Sequence, residues 1–102
     1  MAATNKKQRP ANAVHPGEIL REEFMVPLGL TPTELAKALQ VSLPRVNDIV
    51  RERRAITANT AMRLARYFGT SAKLWMGLQA EYELNLAAQD RAIQKITPRP
   101  AA

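Results

Sequence analysis

The sequence predicts an all-α protein, and three observations carry that expectation. Ala, Leu, Arg and Glu recur throughout, while Gly is held to 4 residues of 102, a balance that favours helices. No run of β-branched residues alternates with polar ones, so nothing marks a strand. Residues 31–54, TPTELAKALQVSLPRVNDIVRERR, read as two short helices around a tight turn, the layout of a helix-turn-helix.

The central pair is set by capping and periodicity. Thr31, Pro32 and Glu34 fall where a capping box needs them, with Pro32 at the first helical position. Leu30 before the cap and Leu35 after it suit a hydrophobic staple. Leu35, Ala36 and Leu39 mark the inner face of this helix, and small Ala36 lets its neighbour approach closely. Val41 falls in the turn, and Ser42 caps the following helix, whose first turn tolerates Pro44. Val46, Ile49 and Val50 mark its buried side.

The remaining elements are read the same way. Residues 1–12 are polar, with Lys6, Lys7 and Arg9, and are expected to form a disordered basic tail. The alternative is a basic arm that lies along phosphates or reaches a partner protein. A first helix opens at His15-Pro16-Gly17-Glu18, turns Ile19, Leu20 and Phe24 inward and Arg21, Glu22 and Glu23 to solvent, and ends at Pro27 and Gly29. Its His15 is the only histidine, and no second ligand or nucleophile accompanies it, so a structural role is expected.

Ile56 and Thr57 form a second staple and cap. They start a helix that buries Ala61, Leu64, Ala65 and Phe68, keeps Arg63 and Arg66 outside, and stops at Gly69. Thr70 or Ser71 caps a fifth helix, where Leu74, Trp75, Leu78, Tyr82 and Leu86 recur at helical spacing. Trp75 and Met76 are expected in the core, and some of this surface is a candidate dimer seam. Beyond Ala87 the helix is expected to continue to Lys95, until Pro98 and Pro100 end it. The domain thus spans 13–86, followed by a helical extension and tail over 87–102.

Charge narrows the function classes. Lys plus Arg number 15 against 9 Asp plus Glu, a net +6, which favours a polyanion partner. There is no cysteine, so disulfide and thiol chemistry are excluded. No apolar run approaches a membrane span, and a cytoplasmic location is expected. An enzyme is not expected. The chain has no glycine-rich phosphate loop and no metal-ligand spacing, and Glu22 and Glu23 project to different sides of a helix. No cofactor or metal is expected.

In a helix-turn-helix the second helix enters the DNA major groove. Ser42, Leu43, Arg45, Asn47 and Asp48 are the candidates for base edges. The planar fork of Arg45 suits guanine O6 and N7, Asn47 suits adenine, and Leu43 suits a thymine methyl. Arg51, Arg53 and Arg54 come late enough to neutralise phosphates, and Thr31 and Lys37 also face the backbone. The alternative for this set is a solvated basic face, partly offset by Asp48 and Glu52. One such helix reads only a few base pairs. A dimer on a two-fold operator is therefore expected, with half-sites roughly 34–36 Å apart.

Three stretches together resemble a known family: HPGEILREEF, LTPTELAKALQVSLPRVNDIVRERRAIT and AMRLARYFGTSAKLWMGLQAEYEL. They resemble the HigA-type antitoxins of the Cro/repressor-like (XRE) helix-turn-helix group, over about residues 14–86. His15-Pro16-Gly17-Glu18, Arg45-Val46-Asn47 and Trp75-x-x-Leu78-Gln79-x-x-Tyr82 discriminate better than the helix-turn-helix alone. The resemblance implies a five-helix bundle and a homodimeric repressor of its own operon. It also implies a partner, a RelE-type mRNA-cleaving toxin (HigB). The acidic Glu18, Glu22 and Glu23 on the first helix suit a basic toxin. A stand-alone regulator without a toxin is the alternative.

Two positions depart from the family pattern. Gln40 stands where the turn usually carries Gly, and Arg51-Glu52-Arg53-Arg54 replaces the common N-G-K-R. A non-Gly residue at positive φ costs about 1 kcal/mol, so either that conformation is kept at a cost or the turn differs. Without a glycine stop, the recognition helix has the option of running further at Glu52.

Overall fold

The computed structural model describes residues 10–101, and the expected tail over 1–9 lies outside them. Six helices follow one another, with no strand among the described residues. Helix α1 covers residues 16–28 as three continuous segments, Pro16–Ile19, Leu20–Met25 and Val26–Leu28. Helices α2 (Pro32–Leu39) and α3 (Leu43–Val50) form the helix-turn-helix. They are followed by α4 (Ala58–Phe68), α5 (Ala72–Ala87) and the short α6 (Arg91–Gln94).

Each start is fixed locally by a side chain that satisfies an N–H the helix itself cannot. Thr31 Oγ1 accepts from the Glu34 N–H at 3.1 Å, and Glu34 Oε1 accepts from the Thr31 N–H at 2.9 Å, a complete capping box. The Thr31 backbone N–H, and then its hydroxyl, hold the Glu34 carboxyl below the usual carboxylate range. Ser42, Thr57 and Ser71 cap α3, α4 and α5, so Ser71 rather than Thr70 serves the fifth helix. Thr70 instead accepts the Trp75 indole N–H at 2.8 Å. His15 caps α1, its Nδ1 accepting from the Gly17 N–H at 2.8 Å, and its ring packs edge-on against Tyr82.

One core joins α1 to α5. Leu20, Leu35, Ile49, Ile56, Leu64 and Trp75 are fully buried, and Phe24 packs its ring between Phe68 and Trp75 at 4.9 and 5.0 Å. Buried Gln79 of α5 accepts the Ile56 N–H at 2.8 Å and so holds the entry to α4. Not all of the α5 stripe goes inward. Trp75 is buried, whereas Met76, expected in the core, and Leu74 are exposed.

Helix α1 differs from its expected form at its end. Pro27 does not stop it, since the helix runs to Leu28 and Gly29 terminates it at φ 66°. Proline inside an α-helix loses a bond and clashes with the carbonyl four residues back. Here the preceding turn is a π-helix, in which the Val26 N–H reaches the Arg21 carbonyl five residues back. That wider turn accommodates the ring.

The two ends of the domain also differ from expectation. Residues 10–12, read as part of the tail, make a turn closed by the Ala13 N–H on the Pro10 carbonyl. Asn12 is bonded to Asn85 of α5 through both its side chain and its carbonyl. The C-terminal helix is not continuous to Lys95. It ends at Ala87, and Asp90 caps a separate single turn, α6. Because Asp90 bonds the Ala92 N–H with its side chain, it offers the backbone an alternative to continuing α5.

Helix α1 comes tightly against the recognition helix at Gly17. A Cβ built on Gly17 would lie 1.8 Å from the Ile49 carbonyl oxygen, inside any permissible contact. Gly17 is therefore required by space. Gly17→Ala should cost about 1–3 kcal/mol, the range for forced overpacking, read as a lower urea midpoint. An unchanged midpoint would mean that α1 and α3 are not held this closely.

Candidate nucleic-acid interface

Helix α3 turns Val46, Ile49 and Val50 into the core and leaves its opposite face open. At 100° per residue that open face is centred on Pro44, Asp48 and Arg51, flanked by Arg45 and Asn47. Ser42, Leu43 and Pro44 at the helix start are exposed, as is Arg51 at its end. Thr31, which caps α2, and Lys37 on that helix are exposed as well. The fold thus presents the expected base-edge and phosphate candidates at the surface, with Arg45, Asn47 and Asp48 only partly exposed.

The late cations are gathered around one carboxylate. Asp48 lies 3.7 Å from Arg53 and 3.5 Å from Arg54, one arginine on each oxygen. Asp48, expected at base edges, is thereby engaged with the pair expected at phosphates. Exposed pairs of this kind add little stability, and their effect here is to keep both guanidinium groups beside the end of α3.

Both helices of the motif end in the same six-residue turn. After α2, the Gln40 N–H bonds the Lys37 carbonyl and the Val41 N–H bonds the Ala36 carbonyl. After α3, the Glu52 N–H bonds the Ile49 carbonyl and the Arg53 N–H bonds the Asp48 carbonyl. This is the Schellman arrangement, which needs a left-handed residue at its pivot. The pivots are Gln40 (φ 58°) and Glu52 (φ 64°), the only non-glycine residues at positive φ among those described. The glycine conformation is thus kept without glycine, and α3 does not run on past its expected end.

Two arginines clamp these ends from neighbouring helices, and both were expected to face solvent. Arg63 of α4 donates through Nη1 to the Leu39 and Gln40 carbonyls at 2.8 and 3.3 Å. Arg21 of α1 donates to the Val50 carbonyl and pairs with Glu52, whose side chain is only 2% exposed. Burial opposes the charge on Arg21, but Glu22 and Glu52 outweigh it and raise its pKa. Carbonyls left over at a helix end are thus satisfied by fixed cations, which also suit the negative end of the helix dipole.

Helix α4 reaches the recognition helix through Asn59. Its Oδ1 accepts from Arg63 Nε at 2.7 Å and from Arg45 Nη1 at 3.5 Å. Among the described residues, no group of His, Asp and Glu is arranged to hold a metal ion, and no helix is long and apolar enough to cross a membrane.

A capped helix pair with its second helix open to solvent and edged by arginines defines the class as helix-turn-helix. The comparisons place it further. The helix-turn-helix family model matches residues 20–75. Virulence-associated protein I of Dichelobacter nodosus is 56% identical over 86 residues, covering 84% of this chain and 78% of that protein. Antitoxin HigA-1 of Vibrio cholerae is 32% identical over 78 residues, covering 76% and 70%. The solved structure of the Pseudomonas aeruginosa antitoxin HigA with the higBA promoter aligns at TM-score 0.79 and 54% identity, over 84% of this chain and 97% of that one. The chain belongs to the helix-turn-helix family and, within it, to the HigA-type antitoxins, a family of regulators rather than enzymes.

The Arg63 clamp is testable by itself. Arg63→Met keeps the apolar stem and removes the donors to Leu39 and Gln40. It should cost about 1.5–3 kcal/mol, the range for hydrogen bonds to charged groups. The same change at exposed Arg66 should stay within about 0.5 kcal/mol. Equal urea midpoints for the two variants would show that the clamp does not hold the turn.

Proposed function

We propose that this chain binds a two-fold operator as a homodimer, represses transcription from it, and neutralises a RelE-type mRNA-cleaving toxin. The observation that carries the DNA reading is the open face of α3. Arg45 stands in its first turns and Arg51, Arg53 and Arg54 at its end. A related HigA, 54% identical, has been solved with its promoter DNA, which supports the same surface here. Arg45 supplies the bidentate fork for a guanine, with Ser42, Leu43 and Asn47 beside it. Arg51, Arg53 and Arg54, with Thr31 and Lys37, take phosphates. Asp48 acts mainly by ordering Arg53 and Arg54.

Two further features support the rest of the reading. Exposed apolar Leu84, Ile93 and Ile96 on α5, α6 and the segment after it give a second copy something to cover. Glu22 and Glu23 are exposed on α1, and an acidic face there suits a toxin that is itself basic in order to reach ribosomal RNA. Co-expression with the neighbouring open reading frame tests the toxin. A stable one-to-one or two-to-two complex is expected, and separate elution at micromolar concentration would overturn it.

DNA binding divides the arginines into two groups. Arg45→Ala should cost about 1–3 kcal/mol and relax preference at one base pair. Arg53→Ala should weaken all sequences alike and flatten the dependence of affinity on salt. Gel-shift titrations on selected and scrambled duplexes at several salt concentrations separate them. Equal losses on both duplexes for Arg45→Ala would sink its base contact.

A further inference from the structure

Arg45 reaches α4 in the DNA-free chain. Its Nη1 lies 3.5 Å from Asn59 Oδ1, and that oxygen is itself fixed by Arg63 Nε at 2.7 Å. Arg63 is anchored in turn on the Leu39 and Gln40 carbonyls. A continuous chain of bonds therefore runs from the end of α2, through α4, to the first turns of the recognition helix. We propose that Asn59 is a specificity-determining positioning residue, which orients the Arg45 guanidinium for base recognition without touching a base itself. This rests on the base-reading role proposed for Arg45.

The chemistry of the guanidinium supports the assignment. Arginine has five N–H donors in a rigid plane. A contact at Nη1 leaves the parallel pair on Nε and Nη2 free, and that pair matches guanine O6 and N7. A long exposed side chain ordinarily loses many rotamers on binding, and restricting it beforehand lowers that cost. Asn59 is also suited to the task by charge. Its amide oxygen accepts from two cations without adding a negative charge next to phosphates.

Selection from a pool of sequence-randomised duplexes reads the preference at each base pair, for the full-length chain and for variants. Asn59→Ala should reduce the preference supplied by Arg45 by about threefold to tenfold, part of the roughly 5- to 150-fold that a bidentate pair confers. Preferences elsewhere and the salt slope should not change. Asn59→Asp still accepts from both arginines, so it should keep the preference while lowering affinity for all sequences. Asn59→Ser, too short to reach, should behave as Asn59→Ala and serves in its place if alanine lowers the thermal midpoint. In an Arg45→Ala background, Asn59→Ala should have no further effect.

An intact preference in both Asn59→Ala and Asn59→Ser would overturn the proposal. So would a further loss in the Arg45→Ala background, which would mean that Asn59 contacts DNA directly. If Arg45→Ala alone alters no preference, the base-reading role fails first and the positioning role with it.

Discussion

Carbonyl groups at the end of a helix have no partner within it, and a tight turn that closes directly on the helix leaves little room to supply one. In this chain the need arises twice, after α2 and after α3. It is met each time from another helix, by Arg63 on the Leu39 and Gln40 carbonyls and by Arg21 on the Val50 carbonyl. The two clamps join α4 to the turn inside the motif and α1 to the end of its second helix. The recognition helix is therefore tied to the bundle by more than its apolar face.

That arrangement accounts for the two pivots. Gln40 and Glu52 hold a left-handed conformation that glycine adopts without strain. Each pivot is part of the clamp it accompanies: the Gln40 carbonyl accepts from Arg63, and the Glu52 carboxylate pairs with Arg21. Hydrogen bonds to charged groups are worth about 1.5–3 kcal/mol, of the size needed to offset the roughly 1 kcal/mol of backbone strain. One turn before Arg21, Gly17 lets α1 approach the Ile49 carbonyl more closely than any residue with a Cβ would allow. The aim of α3 follows from these contacts together with its buried Val46, Ile49 and Val50.

What the sequence made legible was what is local. The Thr31 capping box and the Ser42 and Thr57 caps depend on residues three apart, and inner faces depend on helical period, so all could be read before the fold was known. The arginine clamps were not legible, because Arg21 and Arg63 meet carbonyls 29 and 24 residues away. In sequence they look like ordinary solvent-facing cations. The same holds for Asn59, whose place is clear only once α4 lies beside α3. Met76 was misplaced because it neighbours Trp75 on a helix whose stripe is only partly covered. Asp90 caps the separate last turn, and in sequence a single Asp there is equally readable as an exposed residue of a continuing helix.

These arginine contacts aim the recognition helix before it meets DNA. The structure of this chain bound to operator DNA tests it most directly. Leu43–Val50 should enter the major groove with the Arg21–Val50 and Arg63–Leu39 contacts still made. A complex in which either contact is broken and α3 is rotated against α1 and α4 would contradict it.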